Sequence, residues 1–363
     1  MKALPDFPWD TISKFRSRAE NHPDGLIDLS VGTPVDDVPE MIQVALREHS
    51  NTPGYPTTIG TIELRTAAIG WMSRQLGVKN LNLRQVIPTI GSKELIAWLP
   101  TILDLDANRH IAIPSIAYPT YEVSAIIAGH PVLRYSSIQQ LIDTSASGID
   151  IGLVWLNSPS NPTGEVLSAA DLQQLINWAQ ANNTIVASDE CYIELGWDAK
   201  PTSILNSTIA ETTQNLLAVH SLSKRSNLAG YRAGLLSGDQ GLIEKILEFR
   251  KHAGMIMPAP IQHAMTVALE DDVHVQTQRE RYQQRRTNLK AALELAGFVI
   301  DNSEAGLYLW VSQGRNARDT LAYFAERGIL VAPGDFYGDE THCRVALTAT
   351  DAAISSAVSR LKA

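Results

Sequence analysis

From residue 85 onward, the chain alternates short apolar runs with stretches whose apolar residues recur at helical spacing. This alternation is typical of an α/β fold in which a parallel sheet is covered by helices on both faces. Ligands in such folds bind where strands end and helices begin. We therefore expect the chemistry of this protein to follow the predicted strands, which are residues 86–90, 110–115, 152–156, 184–188 and 215–219.

The two ends of the chain have different patterns. Five prolines in residues 1–40 interrupt any long helix. After residue 238 a helical segment and a long charged helical pattern precede short strands and one helix, as in a small α+β domain. A chain of 363 residues is also too long for one ordinary core. We predict an N-terminal arm that is part of the small domain, a large domain, and a connector helix with the C-terminal small domain, over residues 1–40, 41–255 and 256–363.

Composition excludes several classes of partner. The formal net charge of -9, without clustered Lys or Arg, argues against nucleic acid. No apolar run is long enough to span a bilayer and the N-terminus has no targeting pattern, so we expect a cytoplasmic protein with no membrane partner. Cys191 and Cys343 are far apart and fit a reducing compartment. The histidines have no metal-ligand spacing, so no metal is expected.

The most informative stretch follows the predicted strand at residues 215–219. Lys224 follows Ser221 and Ser223, and Arg232 lies between two glycines a few residues later. The most economical explanation is a Schiff base between the lysine and a cofactor aldehyde, with the serines and the arginine holding the cofactor phosphate. The predicted cofactor is pyridoxal 5′-phosphate. The alternative is a surface Ser/Lys turn before a strand.

Two more polar side chains follow predicted strands. Around Asn161, two prolines and a glycine fix the backbone so that its amide points from the sheet edge. Asp189 ends a predicted strand, where a buried carboxylate is costly unless it meets a cation. The protonated pyridine nitrogen of pyridoxal phosphate is such a cation, and Asp189 would keep the ring able to accept electrons. The alternatives are a plain turn for Asn161 and a helix N-cap for Asp189.

These stretches resemble the motifs of the class I/II, or fold type I, pyridoxal-phosphate aminotransferases. The Lys224 stretch fills the family pattern S-x-S-K followed by G-x-R-x-G, and N-P-T-G at Asn161 and D-x-x-Y at Asp189 also match. The resemblance implies the fold type I architecture, an α/β large domain with a mostly parallel sheet plus a smaller α+β domain. It also implies that Asn161 hydrogen-bonds the cofactor 3′-oxygen, and that Tyr192 shares this role and takes part in catalysis.

The same resemblance covers the loops before Asn161. The segment Y-P-x-x-x-G-x-x-x-L-R begins at Tyr55, whose hydroxyl would reach the cofactor phosphate of the neighbouring subunit in a homodimer with shared sites. The Gly-Ser turn after residues 86–90 implies backbone N–H donation to the phosphate by Ser92 and Lys93. Tyr118 would stack on the pyridine ring, whereas Tyr121 is assigned to packing. A core tyrosine is the alternative for both.

Three residues are implied in substrate binding, namely Gly32, Asn161 and Arg344. Gly32 belongs to a Gly-x-Pro turn that in the family lies near the substrate carboxylate, and a plain turn is the alternative. Arg344 fits the family pattern P-G…R-x-x, in which the arginine binds the α-carboxylate bidentately, and an exposed strand arginine is the alternative. Lys224 would then move a proton between the substrate Cα and the cofactor C4′.

Longer segments are similar to the N-succinyl-diaminopimelate aminotransferases of lysine biosynthesis, at residues 7–10, 53–56, 90–100, 250–255 and 303–310. This similarity implies glutamate as donor, 2-oxoglutarate as its keto partner and N-succinyl-2-amino-6-oxopimelate as acceptor. Substrates with distal carboxylates need a second cation, for which Lys93, Arg225 and Lys251 are candidates. Alternatives are an aminotransferase of aspartate, aromatic residues or methionine, a lyase or synthase of the same fold, and a transcription regulator that retains the fold.

Overall fold

The computed structural model of the protein describes residues 4–362. In chain order its strands are β1 (Ile27–Asp28), β2 (Val86–Ile90), β3 (His110–Pro114), β4 (Val132–Tyr135), β5 (Ile151–Asn157), β6 (Ile185–Asp189), β7 (Leu216–Ser221), β8 (Ala233–Gly238), β9 (Val299–Asp301), β10 (Tyr308–Ser312), β11 (Ile329–Leu330), β12 (Ala332–Pro333) and β13 (His342–Ala346). The helices are α1 (Ser13–Glu20), α2 (Glu40–Glu48), α3 (Ile62–Leu76), α4 (Ser92–Leu103), α5 (Thr120–Ala128), α6 (Ile138–Ala146), α7 (Ala169–Ala181), α8 (Leu222–Arg225), α9 (Gln240–Ala253), α10 (Ala259–Glu270), α11 (Val273–Leu295), α12 (Ala317–Glu326) and α13 (Asp351–Lys362).

Within the described residues, the largest sheet has seven strands in the order β2-β8-β7-β6-β5-β3-β4. Its pairs are parallel except those made by β8, which runs antiparallel to both neighbours. All five predicted strands are present within two residues of their predicted bounds. The sequence did not predict β4 or β8. The first is a short and largely part-exposed edge strand, and the second contains two glycines, so neither stands out as an apolar run.

The central strands have continuous apolar sequence because both faces of the sheet are covered. All seven residues of β5 are buried. Val154 and Leu156 pack into the hydrophobic core on one face, whereas Leu153 and Trp155 pack into the core on the other. Alternate residues of one strand thus serve two separate cores, as expected for a sheet between two helical layers.

The helices on these faces begin and end with ordinary capping residues. Thr61 Oγ1 accepts a hydrogen bond from the Leu64 N–H at the start of α3, at 3.1 Å. Gly77 ends the same helix with a φ of 66°, in the left-handed region that glycine tolerates. Asp239 Oδ1 caps α9 by accepting from the Leu242 N–H at 3.0 Å.

A second core combines the two ends of the chain. The antiparallel sheet β12-β13-β10-β9 packs with α12 and α13, while β1 pairs in parallel with β11. Ile12, Ile27 and Leu29 near the N-terminus are buried in the same cluster as Leu307 and Leu309. This core contains residues from both the predicted arm and the predicted small domain, and the predicted domains and their boundaries remain a prediction.

The register of the large sheet brings the polar strand ends together. Asn157 at the end of β5 pairs with Asp189 at the end of β6, and Asp189 pairs with Val219 of β7. The carboxyl ends of these three strands therefore form one edge, where the segments containing Asn161 and Lys224 begin. None of the helices within residues 4–362 combines the length and the apolar character needed to cross a membrane.

Candidate active site

Lys224 lies in α8, the short helix that begins directly after β7. Ser221 starts this helix, and its Oγ accepts a hydrogen bond from the Ser223 N–H at 3.2 Å. The Lys224 amine donates to the carbonyl oxygen of Gly32, so the arm residue predicted to bind substrate touches the lysine. Burial lowers the pKa of the Lys224 amine. A larger fraction of the amine is therefore neutral and nucleophilic.

A cradle suited to a phosphate lies between α4 and Arg232. Gly91 precedes α4 with a φ of 74°, and none of the described side chains caps this helix start. The N–H groups of Ser92 and Lys93 are thus available at the positive end of the helix dipole. A Cβ placed on Gly91 would lie 2.8 Å from the Arg232 Cζ, so only glycine allows the guanidinium this close. The backbone turn and the arginine together form an anion site.

Asp189 is a buried carboxylate oriented by two neighbours. Its Oδ2 accepts a hydrogen bond from the Tyr121 hydroxyl at 2.8 Å, and its Oδ1 accepts from the Cys191 N–H at 3.2 Å. Burial raises the pKa of Asp189, and the hydrogen bonds from its two neighbours offset this only in part. Tyr121 stacks on Trp155 at 5.2 Å between ring centroids, so it packs as predicted. The prediction missed its hydroxyl, whose partner is distant in sequence.

Tyr118 lies next to this carboxylate, just before α5. Its ring meets Tyr121 edge to face, with centroids 5.7 Å apart. Burial raises the pKa of Tyr118 to about 12, so the ring remains neutral. The placement is compatible with stacking on a ring held by Asp189, and that stacking remains a prediction.

Arg344 and Asn161 are in direct contact. Arg344 Nη1 donates to Asn161 Oδ1 at 2.8 Å, and Nη2 donates to the Ser30 carbonyl oxygen at 2.7 Å. The Arg344 guanidinium lies over two aromatic rings, 4.0 Å from the Tyr308 centroid and 4.9 Å from that of Tyr337. Its Nε is buried and has no hydrogen-bond partner within residues 4–362. A buried cation in such a cage is suited to a carboxylate ligand.

Tyr192 is buried and meets a residue that the sequence did not single out. Its hydroxyl lies 3.0 Å from the hydroxyl of Tyr308 on β10. Burial raises the pKa of Tyr192 well above its usual value, so the hydroxyl keeps its proton. Tyr308 was missed because it stands in an apolar strand pattern. One feature of the sequence could have indicated it. Tyr308 lies in a predicted strand of the small domain, and this strand pairs with the strand that contains Arg344.

The remaining predicted residues are more dispersed. Tyr55 is 100% exposed in the loop between α2 and α3. Lys93 Nζ lies 5.8 Å from the centroid of Phe7 in the arm. The other two candidate cations have carboxylate partners of their own. Arg225 Nε pairs with Glu194 Oε2 at 2.5 Å, and the exposed Lys251 Nζ pairs with Glu248 Oε2 at 3.0 Å.

The residues at this edge fit pyridoxal phosphate. The cradle at Gly91 and Arg232 provides an anion site, and Lys224 provides a buried amine whose pKa is lowered by burial. The buried Asp189 has no cation partner within the described residues, and a protonated pyridine would provide one. These features together fit a site for pyridoxal phosphate.

Comparison with known proteins gives the family. The model for "Aminotransferase class I and II" matches residues 24–361, and the chain belongs to this family. Its cofactor is pyridoxal 5′-phosphate, on which enzymes of this family and fold depend.

Two curated relatives are similar over nearly the whole chain. A probable aminotransferase of Mycobacterium tuberculosis is 52% identical over 99% of this chain and 85% of the relative. The 4-dedimethylamino-4-oxo-anhydrotetracycline transaminase OxyQ of Streptomyces rimosus is 48% identical over 99% of this chain and 100% of the relative. Among solved structures, aminotransferase AspB of Helicobacter pylori is 27% identical, with a TM-score of 0.87 over 99% of this chain and 98% of the other. The protein is therefore an aminotransferase with the fold type I architecture.

Proposed function

We propose that this aminotransferase takes its amino group from glutamate and delivers it to N-succinyl-2-amino-6-oxopimelate. The observation that carries the proposal is the contact between the Arg344 guanidinium and the Asn161 amide, beside Lys224 and Gly32. This arrangement provides a carboxylate site next to an amine of lowered pKa, which an α-amino acid requires.

Each residue at the sheet edge has a separate task in this proposal. Bound pyridoxal phosphate supplies an aldehyde that accepts the amino group and a ring that accepts electrons from the substrate Cα. Lys224 Nζ would hold the cofactor through its aldehyde group and would carry the proton that leaves the substrate Cα. Asp189 would keep the ring nitrogen protonated, and Asn161 and Tyr192 would donate to the 3′-oxygen. Arg344 fixes the α-carboxylate so that the Cα proton faces the lysine.

The phosphate is held by the cradle. The N–H groups of Ser92 and Lys93 and the Arg232 guanidinium would bind it, together with the hydroxyls of Ser221 and Ser223. We also propose a homodimer in which Tyr55 donates to the phosphate of the other subunit. Its full exposure supports this role, because a tyrosine without contacts in its own chain is free to meet another surface.

Of the three candidate cations for the distal carboxylate, Lys93 has no carboxylate partner within residues 4–362, whereas Arg225 and Lys251 each have one. A chain of aromatic contacts runs from Lys93 to Arg344 through Phe7, Trp9, Phe336 and Tyr337. We propose that the α-carboxylate of a substrate with carboxylates at both ends binds Arg344 and that its distal carboxylate binds Lys93. The 29% identity to an LL-diaminopimelate aminotransferase of Trichormus variabilis is in keeping with such a substrate skeleton.

The acceptor test compares kcat/KM for N-succinyl-2-amino-6-oxopimelate with the values for oxaloacetate, phenylpyruvate and the keto acid of methionine, with glutamate as donor. The proposal predicts the highest value for the succinylated acceptor. Lys93→Ala should lower this kcat/KM by about 10-fold, the order expected for a lost charged contact. It should leave kcat/KM for pyruvate unchanged, because pyruvate has no distal carboxylate. The matched control is Lys251→Ala, with no effect. A kcat/KM that is much higher for another keto acid would contradict the proposed acceptor.

A second candidate acceptor is a ring ketone. The relative OxyQ, at 48% identity, is named as the transaminase of 4-dedimethylamino-4-oxo-anhydrotetracycline. Amino transfer from glutamate to that compound, at a kcat/KM above that of the succinylated acceptor, would favour this candidate. The aromatic side chains that connect Phe7 with Tyr337 would then provide apolar surface for the fused rings.

A further inference from the structure

Tyr308 joins two parts of the site that bind different groups. Its hydroxyl lies 3.0 Å from the hydroxyl of Tyr192, and its ring centroid lies 4.0 Å from the Arg344 Cζ. The Tyr308 side chain is 3% exposed, so water does not compete for either contact. Tyr308 therefore touches the group proposed to bind the cofactor oxygen and the group proposed to bind the substrate carboxylate.

The Tyr308 hydroxyl also lies close to Gly32 of the arm. A Cβ on Gly32 would collide with this hydroxyl, so the glycine leaves the space that Tyr308 fills. The carbonyl oxygen of the same glycine accepts the hydrogen bond from Lys224. The hydroxyl thus lies where the arm, β10 and the lysine segment meet.

We propose that Tyr308 is a positioning residue that orients the Tyr192 hydroxyl toward the cofactor 3′-oxygen and covers Arg344 with its ring. This inference rests on the roles proposed above for Tyr192 and Arg344. In this arrangement Tyr308 donates its proton to the Tyr192 oxygen, which leaves the Tyr192 proton for the cofactor. A hydroxyl that accepts one hydrogen bond donates a stronger one, so Tyr308 strengthens the bond that Tyr192 makes.

Both parts of the fold contribute charged or titratable groups around this hydroxyl pair. They are Lys224, Cys191, Tyr118, Tyr337 and Arg344. None of these groups changes in the Tyr308→Phe variant. A spectral change in that variant therefore reports the lost hydroxyl.

The test uses the holoenzyme and the pH midpoint of the visible absorbance change of its bound cofactor. Donation to the 3′-oxygen stabilises its anionic form and lowers this midpoint. Tyr308→Phe weakens the donor and should raise the midpoint by about half a pH unit or more, as expected for one hydrogen bond. Tyr192→Phe should raise it further, and the double variant should equal Tyr192→Phe. Tyr323→Phe, which changes a tyrosine stacked on Arg327, is the matched control.

An unchanged midpoint in Tyr308→Phe, or shifts that add in the double variant, would overturn the inference. The proposed role of the Tyr308 ring, which is to cover Arg344, is tested separately by measuring the binding of glutarate, a dicarboxylate that cannot react. Tyr308→Phe should bind glutarate within about twofold of the wild type, and Tyr308→Ala about 10-fold more weakly. Equal binding by Tyr308→Ala would overturn the role of the ring. Absence of any absorbance band in the wild type would instead contradict the proposed function.

Discussion

Arg344 and Asn161 are separated by 183 residues in the chain, yet Arg344 Nη1 donates to Asn161 Oδ1 at 2.8 Å. Arg344 comes from β13 of the small antiparallel sheet, whereas Asn161 follows β5 of the large sheet. The contact therefore joins the two parts of the fold at one point. A substrate carboxylate that binds Arg344 is held at the boundary between them, next to the proposed cofactor oxygen site.

The first prediction concerns the geometry of this arginine. Arg344→Lys keeps the positive charge but loses the planar pair of donors, so it should lower kcat/KM for glutamate by roughly 10- to 100-fold. The loss should appear mainly in KM, and cofactor absorbance should be unchanged. Arg47→Lys is the control, because Arg47 forms only an exposed pair with Glu40. An unchanged KM in Arg344→Lys would show that the α-carboxylate binds elsewhere.

The second prediction concerns the cost of burying Asp189 without its cation. Burial raises the pKa of Asp189 above the ordinary value of 3.8. Between the ordinary pKa of Asp189 and its raised pKa in the folded protein, the folded state binds more protons than the unfolded state. The stability of the apoenzyme therefore falls as pH rises through this range. Asp189→Asn removes this cost and should raise the free energy of unfolding of the apoenzyme by about 1 kcal/mol at pH 7.

The pH dependence provides the check on this second prediction. The advantage of Asp189→Asn should disappear near pH 4 in denaturant titrations of the two apoenzymes. The same variant should bind pyridoxal phosphate more weakly, because the pyridine nitrogen loses its counter-ion. An apoenzyme of Asp189→Asn that is less stable than wild type at pH 7 would contradict the argument.

The third prediction concerns the lysine amine. Because burial lowers the pKa of Lys224, the apoenzyme should combine with pyridoxal phosphate faster as pH rises, and the rate should level off below pH 10.5. Only the neutral amine attacks the aldehyde, so the rate follows the deprotonated fraction. Stopped-flow absorbance measures this rate, with free lysine side chains as the reference. A rate that still rises beyond pH 10.5 would contradict the lowered pKa.

The fourth prediction concerns the shared site. Tyr55→Ala should weaken cofactor binding, and Lys224→Ala should abolish turnover. If Tyr55 acts in the other subunit, mixing and refolding the two variants together should produce hybrid dimers with one intact site. Activity should then recover to about a quarter of the wild-type value, since half of the dimers are hybrids with one intact site each. No recovery, despite hybrid formation by mass spectrometry, would place Tyr55 outside the partner's site.

Much of the fold was accessible from the sequence because its central strands are buried on both faces. Residues such as those of β5 read as uninterrupted apolar runs, and the prolines and glycine after them mark the turns. The strand β4 was not predicted, because its edge position leaves it short and partly exposed. Antiparallel β8 was not predicted either, because its two glycines interrupt the apolar pattern.

In the candidate site, too, some residues could be predicted from local sequence and others could not. Lys224, Asp189 and Asn161 stand in local motifs, so their neighbours in sequence already indicate their chemistry. The hydroxyls of Tyr121 and Tyr308 meet partners 68 and 116 residues away in the chain, and each residue is also a well-packed aromatic. Sequence pattern accounts for the ring of such a residue and does not reveal where its hydroxyl points. These two hydroxyl contacts could be recognised only in the folded structure, where distant elements pack together.

We propose that Lys224 holds pyridoxal phosphate and passes amino groups between glutamate and a keto acid. The most direct test is the visible absorption spectrum of the purified holoenzyme before and after addition of glutamate. We predict a yellow band that bleaches with glutamate, returns with 2-oxoglutarate, and is absent in Lys224→Ala after removal of free cofactor. A wild-type protein that develops no band with added pyridoxal phosphate, or a band in Lys224→Ala identical to that of the wild type, would contradict the account.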